Sequence, residues 1–125
     1  MNACTALVIE DNENNMELIT FILEAHGYNT LRAMTGQEGI RLALSGNPDF
    51  VLLDIQLPDM DGAEALKAIR AAESGRKMPI IAVTSYAMSG DRERLLAAGC
   101  IGYIEKPIDP LLIINQVRGI LGGLA

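Results

Sequence analysis

Short unbroken apolar runs alternate along this chain with longer segments whose apolar residues recur every three or four positions. Ala6 to Ile9, Phe50 to Leu53 and Ile80 to Val83 are runs of the first kind, each closed by a polar residue. Runs of this length, bounded by turn residues, read as strands buried on both faces. Between the first two, Leu18 pairs with Ile22 and Ile19 with Leu23 at i+4 spacing, which gives a helix one apolar face. Asn14 or Asn15 is expected to cap that helix, and Gly27 to end it.

Tyr28 to Ala33 alternates more weakly and reads as an edge strand. Thr35, with Glu38 three residues on, is a capping-box signature for a second helix whose apolar face is Ile40, Ala43 and Leu44. Gly46-Asn47-Pro48-Asp49 breaks the chain before the strand Phe50 to Asp54. Ala63 to Ala72 reads as a third helix with Ala65, Leu66 and Ile69 inward, and residues 73–77 as its polar exit. Pro79 to Thr84 follows as a strand, residues 85–90 as a loop, and Asp91 to Ala98 as a fourth helix stopped by Gly99. Cys100 to Glu105 reads as the fifth strand. A last helix is expected with Asp109 as cap and Pro110 at its first position, ended by Gly122-Gly123. Its Leu111, Leu112, Ile113, Ile114, Val117, Ile120 and Leu121 exceed one face. Either both sides are covered, or an exposed apolar patch marks an interface.

Strand and helix thus alternate five times. That pattern predicts an α/β fold: a doubly wound, flavodoxin-like (βα)5 sandwich on a five-stranded parallel sheet with right-handed crossovers. The expected strand order is 2-1-3-4-5, with its switch point between strands one and three. A chain of 125 residues without repeats or linkers reads as one domain over residues 1–125.

Composition narrows the functions. The net charge of −6 argues against nucleic acid as a partner, because phosphate binding needs clustered Lys and Arg. It suits a cation or a basic protein. Aromatic residues are 4% of the chain, so the core is aliphatic. Cys4 and Cys100 lack metal-ligand spacing; a disulfide stays open, and a reduced chain is the simpler reading. No apolar run is long enough to span a membrane, and the first residues do not read as a signal peptide, which places the chain in the cytoplasm.

The candidate chemistry lies at the strand exits. With the expected order, Glu10 and Asp11, Asp54, Thr84 and Lys106 all fall at the carboxyl edge of the sheet, where open α/β proteins bind ligands. Three converging carboxylates repel one another unless a cation compensates. Hard oxygen donors at a partly open site suit Mg2+. Lys106 adds a point charge and Thr84 a hydroxyl, which together make a phosphoryl-sized pocket with Asp54 as nucleophile.

The acid pair Glu10-Asp11, the turn Leu52-Leu53-Asp54-Ile55-Gln56-Leu57-Pro58-Asp59-Met60-Asp61-Gly62, the pair Thr84-Ser85 and Lys106-Pro107 resemble the receiver domain of two-component response regulators along the whole chain. The chain most resembles the stand-alone single-domain receivers of the chemotaxis and cell-cycle type, and the opening Val8 to Asn12 and the loop Ser85 to Met88 are similar to cell-cycle single-domain regulators and hybrid-kinase receivers. The resemblance implies that Asp54 accepts a phosphoryl group from a phosphohistidine. It implies Mg2+ held by Asp11, Asp54 and the backbone carbonyl of Gln56, with Glu10 acting mostly through metal-bound water. Lys106 and Thr84 would contact the phosphoryl oxygens, Tyr103 would turn inward with Thr84, and Lys106-Pro107 would be a cis peptide. Gln56 and Tyr86 would tune dephosphorylation. The implied partners are a histidine kinase or histidine phosphotransfer protein, a downstream target on the face of the fourth helix, fifth strand and fifth helix, and a second copy on phosphorylation.

Read this way, the chain is a signalling switch that catalyses only its own phosphorylation and dephosphorylation. A phosphatase using an aspartyl-phosphate would carry a second acid two residues after the nucleophile, where Gln56 stands. A degenerate scaffold would not keep the acid pair, Thr84 and Lys106, and a flavin-binding domain would need phosphate-loop and ring-stacking residues. His26 and the two cysteines are assigned no chemistry.

Overall fold

Five strands form one parallel sheet in the order β2-β1-β3-β4-β5. In chain order the elements are β1 (Thr5–Ile9), α1 (Glu13–Ala25), β2 (Asn29–Ala33), α2 (Gly36–Ser45), β3 (Phe50–Asp54), α3 (Gly62–Ala72), β4 (Ile80–Thr84), α4 (Ser89–Ala98), β5 (Gly102–Glu105) and α5 (Ile113–Leu121). This is the expected doubly wound (βα)5 architecture. The computed structural model describes residues 4–72, 78–85 and 89–122. The readings of residues 73–77, of Tyr86 to Met88 and of Gly123 fall outside them.

The side-chain alternation of the strands divides the core in two. Ala6, Val8, Phe50, Leu52, Ile81 and Val83 face α1 and α5, while Leu7, Ile9, Val51, Leu53, Ile80 and Ala82 face α2, α3 and α4. Every residue of β3 and β4 is buried, so these central strands show no polar alternation. β2 is an edge strand and is the more exposed for it.

Several local expectations shift. Asn12, rather than Asn14 or Asn15, caps α1: its side-chain oxygen accepts the Asn15 N–H at 2.9 Å. The helix therefore starts directly behind the acid pair. Gly27 follows α1 with φ +90°, the left-handed conformation expected of it. Thr35 caps α2 by accepting the Glu38 N–H, and Glu38 reaches back to the Met34 N–H. Leu44 points outward, and Gly39 and Ala43 are buried instead, with Gly36 buried against Met60. α2 lies so close that a Cβ at Gly39 would meet the Ile9 side chain at 2.5 Å, which leaves no room for a leucine on that face.

β5 starts at Gly102 rather than Cys100, and α5 at Ile113 rather than Pro110. Asp109 still makes the contacts expected of a cap, on the turn ahead of that start. Its carboxylate accepts the Leu111 N–H at 2.9 Å, and its carbonyl accepts the N–H groups of Leu112 and Ile113. The apolar excess of α5 resolves accordingly: Ile113, Ile114, Val117 and Leu121 are buried, and Leu111 and Leu112, ahead of the helix, are exposed. Both cysteines are free thiols, and burial pushes the Cys100 thiol up from its ordinary value.

Candidate functional site

The strand order places the exits of β1 and β3 side by side, with β4 and β5 beyond. Glu10 follows β1, Asp54 ends β3, Thr84 ends β4 and Lys106 follows β5. A cavity of about 590 Å3 opens there, lined by Glu10, Asp11, Asn12, Asp54, Gln56 and Lys106 among others. Glu10 and Asp54 are as buried as the core leucines, at 1% and 3% exposure, whereas Asp11 is exposed. One carboxylate oxygen from each of the three lies within 4.8 Å of the others.

Lys106 is the cation that answers two of these acids. Its Nζ is 3.1 Å from Asp54 Oδ2, to which it donates a hydrogen bond, and 3.1 Å from Glu10 Oε1. Glu10 Oε1 makes no aligned hydrogen bond although it is buried, while Oε2 accepts the Asn12 N–H at 3.2 Å. Burial, and then Asp54 beside it, raise the Glu10 carboxyl from 4.5 to about 7. The Lys106 ammonium is held above its ordinary value by Asp54 and Glu10 against the opposing effect of burial. Two buried acids thus share one ammonium, with the exposed Asp11 beside them. A divalent cation fits this donor set: the oxygens are close enough to share an ion, one is buried without a hydrogen bond, and a hard cation would supply the missing charge.

The loop after Asp54 is closed tightly on itself. Gln56 donates its N–H to Asp54 Oδ1 at 3.0 Å and bridges Asp61, and Gly62 donates to the Ile55 carbonyl at 2.7 Å. A Cβ at Gly62 would lie 2.5 Å from the Ile55 Cα, so only glycine fits that turn. Two further contacts tie the loop outward. Asp59 accepts the N–H groups of Gly36 and Gln37 at 2.7 and 2.9 Å, and these bonds hold its carboxyl below the usual range. Asp61 pairs with Arg94 of α4 at 3.8 Å.

Thr84 is buried on the neighbouring strand, in register with Glu105 of β5. It is not among the cavity's lining residues. Tyr103 of β5 is half-buried against the core that faces α2, α3 and α4. The Lys106-Pro107 peptide is cis. The sequence points to Glu10, Asp11, Asp54, Gln56 and Lys106, and the structure brings these five together. It does not point to Asn12 or to the ties made by Asp59 and Asp61. An acid after a proline reads as an ordinary turn residue, and nothing in the pattern tells that Asp59 meets a helix start 23 residues earlier in the chain.

The chain is similar to known proteins along most of its length. A family model described as the response regulator receiver domain matches residues 6–118. The polar-differentiation response regulator DivK of Brucella ovis is 43% identical over 118 residues, which cover 94% of this chain and 96% of that protein. Among solved structures, the receiver domain of a sensor histidine kinase from Pseudomonas aeruginosa has a magnesium ion coordinated in its active site cleft. It is 35% identical with a TM-score of 0.85, over 98% of this chain and 100% of that one. A CheY-like response regulator receiver domain protein from Methanospirillum hungatei is 30% identical with a TM-score of 0.88, over 98% and 97% of the two chains.

Proposed function

Since the chain belongs to the response regulator receiver family of two-component signalling, we propose that it is a phosphorylation-switched signalling module with Asp54 as its phosphoryl acceptor. The observation that carries this reading is the buried Asp54 carboxylate, 3.1 Å from the Lys106 ammonium and within 4.8 Å of oxygens from Glu10 and Asp11. A carboxylate oxygen of Asp54 attacks the phosphorus of a phosphohistidine. The new O–P bond forms as the N–P bond breaks, and the imidazole leaves and takes a proton from solvent. Lys106 turns from the carboxylates to the transferred phosphoryl oxygens, and the Thr84 hydroxyl donates to another. Asp11, Asp54 and the Gln56 carbonyl would hold Mg2+, with Glu10 behind them, and the ion would supply positive charge to the phosphoryl oxygens.

The aspartyl-phosphate brings roughly −1.5 to −2 of charge into the pocket. Thr84 moves towards it, Tyr103 turns inward, and the surface of α4, β5 and α5 changes its balance of packings. A histidine kinase or histidine phosphotransfer protein supplies the phosphoryl group. A downstream protein, or a second copy of the chain, reads the altered face. The chain acts as a single receiver domain, a reading supported by its span of 96% of the DivK relative's length. In this reading it is a switch, with its chemistry on its own Asp54.

Incubation with acetyl phosphate and Mg2+, followed by intact mass, tests the proposal. A gain of one phosphoryl group is expected, absent without metal and in Asp54→Ala. No gain from acetyl phosphate or from a phosphorylated histidine kinase overturns it.

A further inference from the structure

The start of α2 is saturated with acceptors, and one of them comes from the far side of the site. The first N–H groups of a helix have no partner within the helix. Here the Thr35 hydroxyl takes the Glu38 N–H, Glu38 takes the Met34 N–H, and Asp59 takes both Gly36 and Gln37. Thr35 and Glu38 are local. Asp59 belongs to the loop that leaves Asp54, three positions after Gln56 and directly after Pro58. The same loop presses Met60 against Gly36, where a Cβ would meet the Met60 side chain at 2.5 Å. The loop is thus held at both ends of its span. Gln56 is fixed by its N–H bond to Asp54 and its bridge to Asp61, and the tip is fixed by a two-pronged carboxylate on a helix start, an end that carries partial positive charge.

We propose that Asp59 is a positioning residue for the metal-assisted acceptor site: by clamping the loop tip on α2, it sets the placement of the Gln56 carbonyl beside Asp54. Pro58 lies between the two and has its φ fixed by its ring, so a displacement at Asp59 has little slack before Gln56. Residues that orient a metal's donors from outside the donor shell commonly change metal affinity about 10–100-fold when removed. This inference rests on the reading of Asp54 and Gln56 as part of a Mg2+ site, and α2 becomes a structural support of that site through Asp59.

The test compares Asp59→Ala, Asp59→Asn and Thr35→Ala in the full chain. Mg2+ affinity is measured by calorimetry on unphosphorylated protein, and the Gln56 amide is followed by NMR with and without metal. Asp59→Ala is expected to weaken Mg2+ binding about ten-fold and to move the Gln56 amide in the metal-free spectrum. Asp59→Asn keeps one acceptor oxygen and falls in between. Thr35→Ala removes a cap from the same helix without touching the loop, so it lowers the melting temperature yet keeps the Mg2+ affinity. With acetyl phosphate, the Mg2+ concentration giving half-maximal phosphorylation rises with Asp59→Ala by the same factor, and the rate at saturating Mg2+ is retained. If Asp59→Ala loses thermal stability but keeps its Mg2+ affinity and Gln56 amide position, Asp59 is a helix cap only and the proposal falls. A wild-type chain that binds Mg2+ but gains no phosphoryl group sinks the acceptor reading alone, because the calorimetric comparison still decides the role of Asp59.

Discussion

Leu52 and Leu53 in the middle of β3 are buried to the same degree as Asp54 at its end, yet burial does opposite things to them. For the leucines, leaving water is the source of stability, worth about 1.5–3 kcal/mol for each fully buried side chain. For Asp54 and Glu10 it is a cost, because two acids are desolvated side by side and one ammonium answers both. The sheet's interior is where the chain gains its stability, and the sheet's edge is where some of that gain is given up. Such local conflict is expected where a site awaits a charge that the protein does not itself supply.

The contrast can be broken at either end. The largest effect is expected in the interior: Leu53→Ala should destabilise the chain by about 2–5 kcal/mol in denaturant unfolding, with the cavity left behind adding to the lost burial. A loss near zero would mean that β3 is not the rigid centre its burial implies. Next in size is the response of the edge to its missing charge. Mg2+ at 100 times its dissociation constant should raise stability by about 2.7 kcal/mol, and Asp54→Ala should cancel most of that rise. Removing the repulsion by mutation instead should act in the same direction but more weakly. Asp54→Asn is expected to stabilise the metal-free chain by roughly 1 kcal/mol while abolishing phosphorylation, the exchange of function for stability common at strained sites; a less stable Asp54→Asn would show that Lys106 more than balances the two acids.

The smallest and most specific effect is on pH dependence. The Glu10 carboxyl is raised on folding from 4.5 to about 7, so the folded chain holds that proton more tightly than the unfolded one. The corresponding stability is fully present below pH 4.5 and is lost as pH rises through about 7. Metal-free unfolding curves should therefore show stability falling across that window. Glu10→Gln, or saturating Mg2+, should flatten the slope.

The elements most legible in the sequence were those on which several kinds of information agree. Each of the runs before Glu10, Asp54 and Thr84 is apolar, has a strand's length and ends in a polar group, so strand and site residue are read together. The details that shifted are those decided by near-equal local alternatives or by contacts remote in the chain. Asn14 and Asn15 are equivalent caps by sequence, and it is Asn12, just before them, that takes the role. Asp109 and Pro110 look like a helix start, and Asp109 does cap a turn there, but the continuous helix begins only at Ile113. Leu44 fits an inward helical position by spacing, and the close approach of Gly39 to Ile9 reverses it. Asp59 is the extreme case, since its partners lie across the fold.

β5 is four residues long and pairs on one side only, with β4. Short edge strands are among the first parts of a fold to open transiently, by local unfolding that leaves the centre intact. Lys106 hangs directly from that strand, and its bond to Asp54 joins positions 52 apart in the chain. A local opening of β5 would carry the ammonium away while Glu10 and Asp54 stay in place on β1 and β3. The hydrogen-exchange protection of β5 amides becomes, for this protein, a clock for how often its acid pair is left facing itself.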